Sequence, residues 1–148
     1  MFYAQIVKQY ITSISNNNSQ GNSAIVKAAL KELNEGIHKG GTKYWQWYGF
    51  NGRVEWCAIF VSYNAEKAGV KMEHFAYCPT GIENFKANNQ WFRKGSLPKN
   101  GNIIFFDWDG DSISYYVGIV EKVENEVVYT IEENSGNKIA KLSYEKIA

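Results

Sequence analysis

The stretch that decides the fold is Val54-Glu55-Trp56-Cys57-Ala58-Ile59-Phe60-Val61-Ser62. A polar, aromatic lead-in gives way to an apolar run, which predicts a buried helix from Cys57 to Ala68 with Gly69 as its C-cap and Lys67 in its last turn. The partial positive charge at a helix N-terminus favours a thiolate over a thiol. Cys57 is therefore a candidate nucleophile, although free cysteines also commonly fill space in protein cores.

The segments on either side of this stretch differ in character. Before it, apolar spacing predicts a helix over 2–14, a polar linker over 16–22, and a helix over 24–33 that Ser23 can cap. After it, a short helix is predicted over 82–92, and then the sequence becomes strand-like. The predicted strands cover 102–106, 116–123, 127–132 and 138–144. Helices followed by strands indicate an α+β fold, with residues 1–22 as an N-terminal appendage and 23–148 as the main domain.

The hairpin between 116 and 132 has a predicted register. A three-residue loop, 124–126, pairs Val123 with Val127 and Ile119 with Ile131, because a one-residue slip would break up the apolar face. That face carries Val117, Ile119, Val123, Val127, Tyr129 and Ile131. Tyr116, Glu132 and Asn134 belong to the opposite face, and we expect them to point outward together near the Cys57 helix.

Aromatic residues are dense just before Cys57. The chain has five Trp, ten Tyr and eight Phe, and Tyr44-Trp45-Gln46-Trp47-Tyr48-Gly49 holds four of them. Aromatic rings offer flat apolar walls for a sugar face or a peptide. The candidate substrate-binding residues are Tyr44, Trp45, Trp47, Tyr48 and Trp56. The alternative interpretation is a loop that covers the core.

Composition narrows the possible partners. The net charge is +1 with evenly mixed charges, so we expect no nucleic-acid partner, and no apolar run reaches the ~18 residues that span a membrane. The first ten residues lack the layout of a secretory signal, which suggests synthesis in the cytoplasm; residues 1–148 as one module of a longer protein remain an alternative. We expect a monomer without a cofactor.

Metal and disulfide chemistry have weak support in the sequence. Only two histidines, His38 and His74, and two cysteines are present, so no zinc cluster is expected. Cys57 and Cys78 have the alternative of pairing with each other, which would silence the thiol. The acidic stretch 107–112 has alternating aspartates that suit calcium, but Gly118 stands where an EF-hand needs its last carboxylate, so a turn is favoured.

Five segments in order resemble a CHAP domain over about residues 24 to 144. They are 40–45 (GGTKYW), 54–62 (VEWCAIFVS), 98–107 (PKNGNIIFFD), 117–120 (VGIV) and 130–134 (TIEEN). The resemblance implies a papain-like fold related to the NlpC/P60 enzymes. It also implies cutting of peptidoglycan as an amidase or endopeptidase, as in phage endolysins and bacterial autolysins that act on the cell wall. The family's nucleophile falls on Cys57, and its polar orienting residues fall on Glu132 and Asn134.

The general base of the family does not carry over. The family has His directly before the Val-Gly-Ile-Val strand, where this chain has Tyr116. An imidazole takes the thiol proton near neutral pH and returns it to the leaving amine, whereas a phenol with a pKa of about 10 does neither. Tyr116 is either the natural residue of a non-catalytic relative or an introduced substitution. The two hypotheses are an impaired cysteine hydrolase and a pseudoenzyme that binds cell-wall peptide or a protein partner.

Overall fold

The structure is a computed structural model that describes residues 10–12, 23–36, 38–92, 98–107, 111, 113–133 and 137–145. Within them the fold is α+β, as predicted. The helices are α1 (Ser23–Glu35), α2 (Thr42–Tyr48), α3 (Cys57–Ala68) and α4 (Cys78–Ala87). The strands are β1 (Tyr10–Thr12), β2 (Trp91–Phe92), β3 (Ile103–Phe106), β4 (Tyr116–Glu124), β5 (Val127–Glu133) and β6 (Ile139–Glu145). Among the described helices, none has the length and apolar character needed to span a bilayer.

Helix α3 is the centre of the molecule. Every residue from Cys57 to Ala65 is buried, so the helix is enclosed on nearly all sides rather than along one stripe. It begins at Cys57 and ends at Ala68, and Gly69 takes the left-handed conformation (φ 71°) while its N–H bonds back to the last turn. The bounds and cap predicted from the sequence are thus confirmed.

The antiparallel sheet has the strand order β2-β1-β3-β4-β5-β6 and buries side chains on both faces. The helices cover one face, where Ile103, Phe105, Val117 and Ile119 join the main core. The other face holds a second apolar cluster made of Ile104, Phe106, Val120, Val128 and Tyr144. The continuous apolar run of β3 fits this arrangement, because strands buried on both faces do not alternate with polar residues. The sequence predicted that this second face points outward. That prediction was wrong, because the face carries buried apolar side chains.

The β4–β5 hairpin closes differently from the predicted register. Its turn has two residues, Asn125 (φ 52°) and Glu126 (φ 65°), so Glu124 pairs with Val127 and Val123 with Val128. Positive φ at both central positions matches the twist of a type I′ turn. A bulge between Val120 and Lys122 then restores the predicted pairing of Ile119 with Ile131. The bulge moves Val123 to the second apolar cluster.

Three predicted elements are also corrected. Residues 10–12 form a strand between β2 and β3 instead of part of a helix, while residues 1–9, 13 and 14 lie outside the described part. The aromatic loop at 44–49 is mostly helix α2. Helix α4 begins at Cys78 rather than 82, with Pro79 in its first turn where a missing N–H costs nothing, and it ends at Ala87.

Candidate active site

Cys57 lies at the first position of α3, beside the start of the hairpin. Its side chain is 6% exposed, and its Sγ donates a hydrogen bond to the carbonyl oxygen of Tyr115 at 3.6 Å. No described side chain caps the helix at Trp56, so the backbone N–H groups of the first turn keep their donor capacity. The thiol, the positive end of a helix and the residue before β4 therefore meet at one place.

Cys78 is a second thiol at this place. Both cysteines are free and buried. Interaction with Cys57 and burial raise the pKa of Cys78 well above its ordinary value, so this thiol stays protonated at neutral pH. The Cys57 thiol donates to the Tyr115 carbonyl. We call Cys57, Cys78, Tyr115 and Tyr116 the Cys57 site.

Tyr116 is the first residue of β4 and points toward the second face of the sheet. Its hydroxyl donates to the backbone carbonyl of Glu133, and its ring packs on Phe106 with 6.0 Å between centroids. Burial raises its pKa, and the carboxyl groups of Glu132 and Glu133, which are ionised at the alkaline pH where a phenol titrates, raise it further. The phenol is therefore neutral across the physiological pH range and acts as a donor to a carbonyl.

Glu132 lies near the end of β5 and is fully buried. It accepts hydrogen bonds from Thr130 at 2.5 Å and from Tyr144 at 3.1 Å. Burial raises the pKa of Glu132 to about 8, although the bonds from Thr130 and Tyr144 act in the opposite direction. The carboxyl thus binds a proton at neutral pH. Asn134, its predicted companion, lies outside the described residues.

Two features of the Cys57 site's surroundings were missed by the sequence analysis. Tyr77 and Tyr115 are 56% and 62% exposed, and their ring centroids lie 6.3 Å apart. Glu133 is 7% exposed; burial and the charge of Glu55 raise its pKa to about 7, while Arg53 lowers it. In the sequence, Tyr77 directly precedes Cys78 and Tyr115 directly precedes Tyr116. This adjacency to site residues was the signal that could have identified the two tyrosines.

The five candidate substrate-binding aromatics pack mainly along α3. Tyr44 and Trp56 have no exposed surface and stack on each other at 5.3 Å, and Trp45 is 8% exposed. Trp47 contacts Tyr63 and His74, and Tyr48 stacks on Phe50. Rings without exposed surface cannot touch a bound molecule, so for Tyr44 and Trp56 the structure supports the core-covering alternative. Trp47 and Tyr48 keep partial exposure.

The two histidines contact residues other than Cys57. His74 pairs with Glu66 at 3.3 Å, and Glu66 lies nine residues along α3 from Cys57. At ~1.5 Å per residue this is about 13 Å along the helix axis. His38 contacts the edge of Tyr44, whose other neighbours include the ring of Trp56. Neither histidine takes the place that Tyr116 occupies.

One group of side chains has the spacing of metal ligands. Glu32, Glu35 and His38 each have a ligand atom within 4.8 Å of the others. However, Lys43 Nζ lies 2.6 Å from Glu32 and 3.2 Å from Glu35, and so one ammonium group already pairs with both carboxylates. The cluster therefore functions as an ion pair that joins α1 to α2. Most of the acidic stretch 107–112, for which a turn was favoured over a calcium loop, lies outside the described residues.

Comparison with known proteins agrees with this geometry. The family profile of the CHAP domain matches residues 47–134, a stretch that includes Cys57, Tyr116 and Glu132. Searches of curated proteins and of solved structures found no match. CHAP domains are papain-like and act on peptidoglycan as hydrolases of the amidase or peptidase kind. Because the match covers more than half of its length, the chain belongs to the CHAP domain family.

Proposed function

We propose that this chain is a peptidoglycan amidase or endopeptidase in which Cys57 is the nucleophile and Tyr116 strongly reduces turnover. The observation that carries the proposal is the hydrogen bond from the Cys57 thiol to the Tyr115 carbonyl, directly beside Tyr116. In an active enzyme the thiolate attacks the amide carbonyl, and the Cys57 backbone N–H helps to hold the oxyanion. Endolysin-type action on a bacterial cell wall is the corresponding biological role.

Tyr116 cannot serve as the base that accepts the thiol proton at neutral pH, either as a phenol or as a phenolate. A neutral phenol is a very weak base, and a phenolate forms only above its pKa, which burial and neighbouring carboxylates raise. Its hydroxyl is also engaged with the Glu133 carbonyl. Loss of general acid–base catalysis costs about 10²- to 10⁴-fold in rate, so we expect hydrolysis to be slow or undetectable.

Glu132 and Asn134 are proposed to orient the side chain at position 116, as the family pattern implies. With Tyr116 present, the Glu132 carboxyl instead accepts bonds from Thr130 and Tyr144. An imidazole at position 116 provides a ring N–H that a nearby carboxylate can bind, which would fix its tautomer. We therefore expect Glu132 and Asn134 to orient the imidazole when position 116 is histidine.

The second candidate function is binding without cleavage, and one observation favours it. Tyr77 and Tyr115 form an exposed aromatic pair beside Cys57. Exposed tyrosines supply large contact area at low entropic cost, and this contribution does not depend on a general base. Cell-wall peptide or a partner protein bound at this pair would remain uncut.

Lysis of purified cell walls distinguishes the two functions. We predict that Tyr116→His raises the rate of lysis by at least about 10²-fold and that Cys57→Ala in the same background abolishes the gain. Tyr115→His is the matched control, because it places an imidazole one residue away on an exposed side chain. Tyr115→His should not restore lysis.

Other outcomes of this experiment each exclude one alternative. If Tyr116→His stays inactive but binds walls, and Tyr77→Ala weakens that binding, the non-catalytic function is supported. Rapid lysis by the unmodified chain would contradict our interpretation of Tyr116.

A further inference from the structure

A groove of about 550 Å³ lies between α1 and α3 and does not include the Cys57 site. Four lysines, two glutamates, three alanines and Tyr63 line it, mostly from these two helices, and α2 contributes Lys43. Lys67, in the last turn of α3, lies ten residues along that helix from Cys57. At ~1.5 Å per residue the separation is about 15 Å along the helix axis. We call this surface the lysine groove.

Three exposed lysines of the lysine groove have no carboxylate partner. Lys27 and Lys31 lie one turn apart on α1, and Lys67 faces the same groove from α3. Within the described part of the chain, no carboxylate lies within ion-pair distance of these three ammonium groups. Like charges one turn apart on a helix repel each other, and an anion bound between them removes that repulsion.

The two glutamates of the groove are paired with its fourth lysine. Lys43 Nζ lies 2.6 Å from Glu32 and 3.2 Å from Glu35. One ammonium group thus accompanies two carboxylates, and the three other lysines outweigh the negative charge that is left. The lysine groove therefore carries a surplus of two positive charges.

The ring of Tyr63 holds two of the ammonium groups in place. Its side chain is 7% exposed, and its ring centroid lies 5.3 Å from Lys43 Nζ and 5.2 Å from Lys67 Nζ. A cation over an aromatic face is attracted by the ring, and a buried ring is fixed by its surroundings. Positive charge is therefore positioned before a ligand arrives, which lowers the entropic cost of binding.

We propose that the lysine groove binds a phosphodiester polymer of the cell wall and so anchors the chain to its substrate. The choice of a wall polymer rests on the proposed function, because that function places the chain at the cell wall. Lysines bind phosphate as point charges, and no described arginine lines the groove to grip a carboxylate with two parallel bonds. A row of separate ammonium groups complements a chain whose negative charges repeat.

The anchor acts through the connection between the two sites. Helix α3 carries Cys57 at its first residue and Lys67 in its last turn. A chain held at the groove keeps the Cys57 site close to the wall, which raises the effective concentration of peptidoglycan there. The groove thereby favours walls that carry the polymer over walls that lack it.

The test measures binding of fluorescently labelled poly(glycerol phosphate) to the full chain by anisotropy. We expect affinity to fall at least about 10-fold between roughly 0.02 M and 0.5 M salt, because salt screens exposed charges. The combined variant Lys27→Gln, Lys31→Gln and Lys67→Gln should lose at least about 5-fold in affinity, since each exposed charge contact contributes about 1.5- to 5-fold. All three side chains are exposed, so the variant should fold as the unmodified chain does.

The control variant combines Lys71→Gln, Lys99→Gln and Lys138→Gln. It removes the same charge from exposed lysines outside the groove and should keep the affinity of the unmodified chain. Equal losses in the two variants, or binding that does not respond to salt, would overturn the proposal. Tighter binding of polyglutamate, single-stranded DNA or anionic phospholipid vesicles than of poly(glycerol phosphate) would also overturn it.

Lysis in the Tyr116→His background separates this proposal from the proposed function. The three groove substitutions should slow lysis of intact walls but leave the rate unchanged on walls stripped of phosphate polymer with hydrofluoric acid. Equal rates on intact walls would exclude the anchoring role. Because binding of the soluble polymer requires no turnover, failure of the anisotropy experiment is distinguishable from failure of Tyr116→His to restore lysis.

Discussion

Two adjacent carboxyl groups, Glu132 and Glu133, lie at the end of β5 in different surroundings. Glu132 contacts the hydroxyl groups of Thr130 and Tyr144, whereas Glu133 is near the charged side chains of Arg53 and Glu55. Burial raises both pKa values, to about 8 and about 7. At the residue scale, therefore, the carboxyl groups of Glu132 and Glu133, beside Tyr116, retain protons at a pH where exposed carboxyl groups would be ionised.

Replacing Glu132 tests this protonation. Between pH 4.5, its ordinary value, and about 8, the folded chain keeps a proton that the unfolded chain has lost. Stability is therefore greatest below this window and falls as the pH rises through it, by up to ~1.4 kcal/mol per pH unit. Glu132→Gln keeps the acceptor for Thr130 and Tyr144 and should make urea-unfolding free energies less dependent on pH by this amount. Glu133 contributes its own slope in both proteins.

The control for this measurement is Glu83→Gln, because Glu83 is an exposed carboxylate on α4. It should leave the pH dependence unchanged. Parallel pH profiles for the unmodified chain and Glu132→Gln would show that Glu132 is ionised in the folded protein.

At the scale of elements, turns determine how helices and strands approach the Cys57 site. Gly41 precedes α2 with φ +67°, and an added Cβ would lie 2.3 Å from the ring of Trp56, the residue before Cys57. Gly40 has φ +85° and open space around it. Both glycines allow a left-handed backbone, but only Gly41 also allows close approach of the chain to Trp56.

These two glycines form a matched pair of variants. Gly40→Ala should cost ~1 kcal/mol of unfolding free energy from backbone strain alone. Gly41→Ala should cost a further ~1–3 kcal/mol, because its methyl group overlaps a fully buried indole. Urea denaturation at one pH measures both. Equal losses would mean that the Trp56 contact is relieved without cost.

The hairpin turn offers a stabilising change. Glu126 has φ 65°, a conformation that costs a non-glycine residue ~1 kcal/mol. Glu126→Gly creates Asn-Gly, the preferred pair for a type I′ turn, and should raise the unfolding free energy by ~0.5–1 kcal/mol. Glu126→Ala retains the strain and should give no gain. A destabilised glycine variant would contradict this turn assignment.

At the scale of the whole molecule, Asn137 joins distant segments around α3. Its Oδ1 accepts from Trp56 Nε1 at 2.7 Å and from Arg53 Nη2 at 2.8 Å. Its backbone carbonyl accepts from the Gly40 N–H at 2.8 Å. The residue leading into β6 thereby attaches to the turn before α2 and to the segment before Cys57.

Truncating Asn137 should loosen this junction. Asn137→Ala leaves the indole N–H of buried Trp56 without its acceptor and should cost ~1–3 kcal/mol of unfolding free energy. Asn137→Asp keeps an acceptor for both donors and should cost less. Comparison of their urea midpoints is the measurement. A larger loss for aspartate than for alanine would exclude the hydrogen bonds as the stabilising feature.

Local patterns in the sequence determined the central helix with its glycine cap, the α+β order, the pairing of Ile119 with Ile131, and the motifs of a CHAP domain around Cys57. Each depends on residues close together in the chain or on a motif that appears in one stretch. Tertiary structure alone decided that Cys57 bonds to the carbonyl of Tyr115, that Tyr77 and Tyr115 are exposed, and that residues 10–12 join the sheet. It also decided that Glu132 is buried, because the exposure of a side chain depends on which distant segment covers it, and no local pattern encodes that segment.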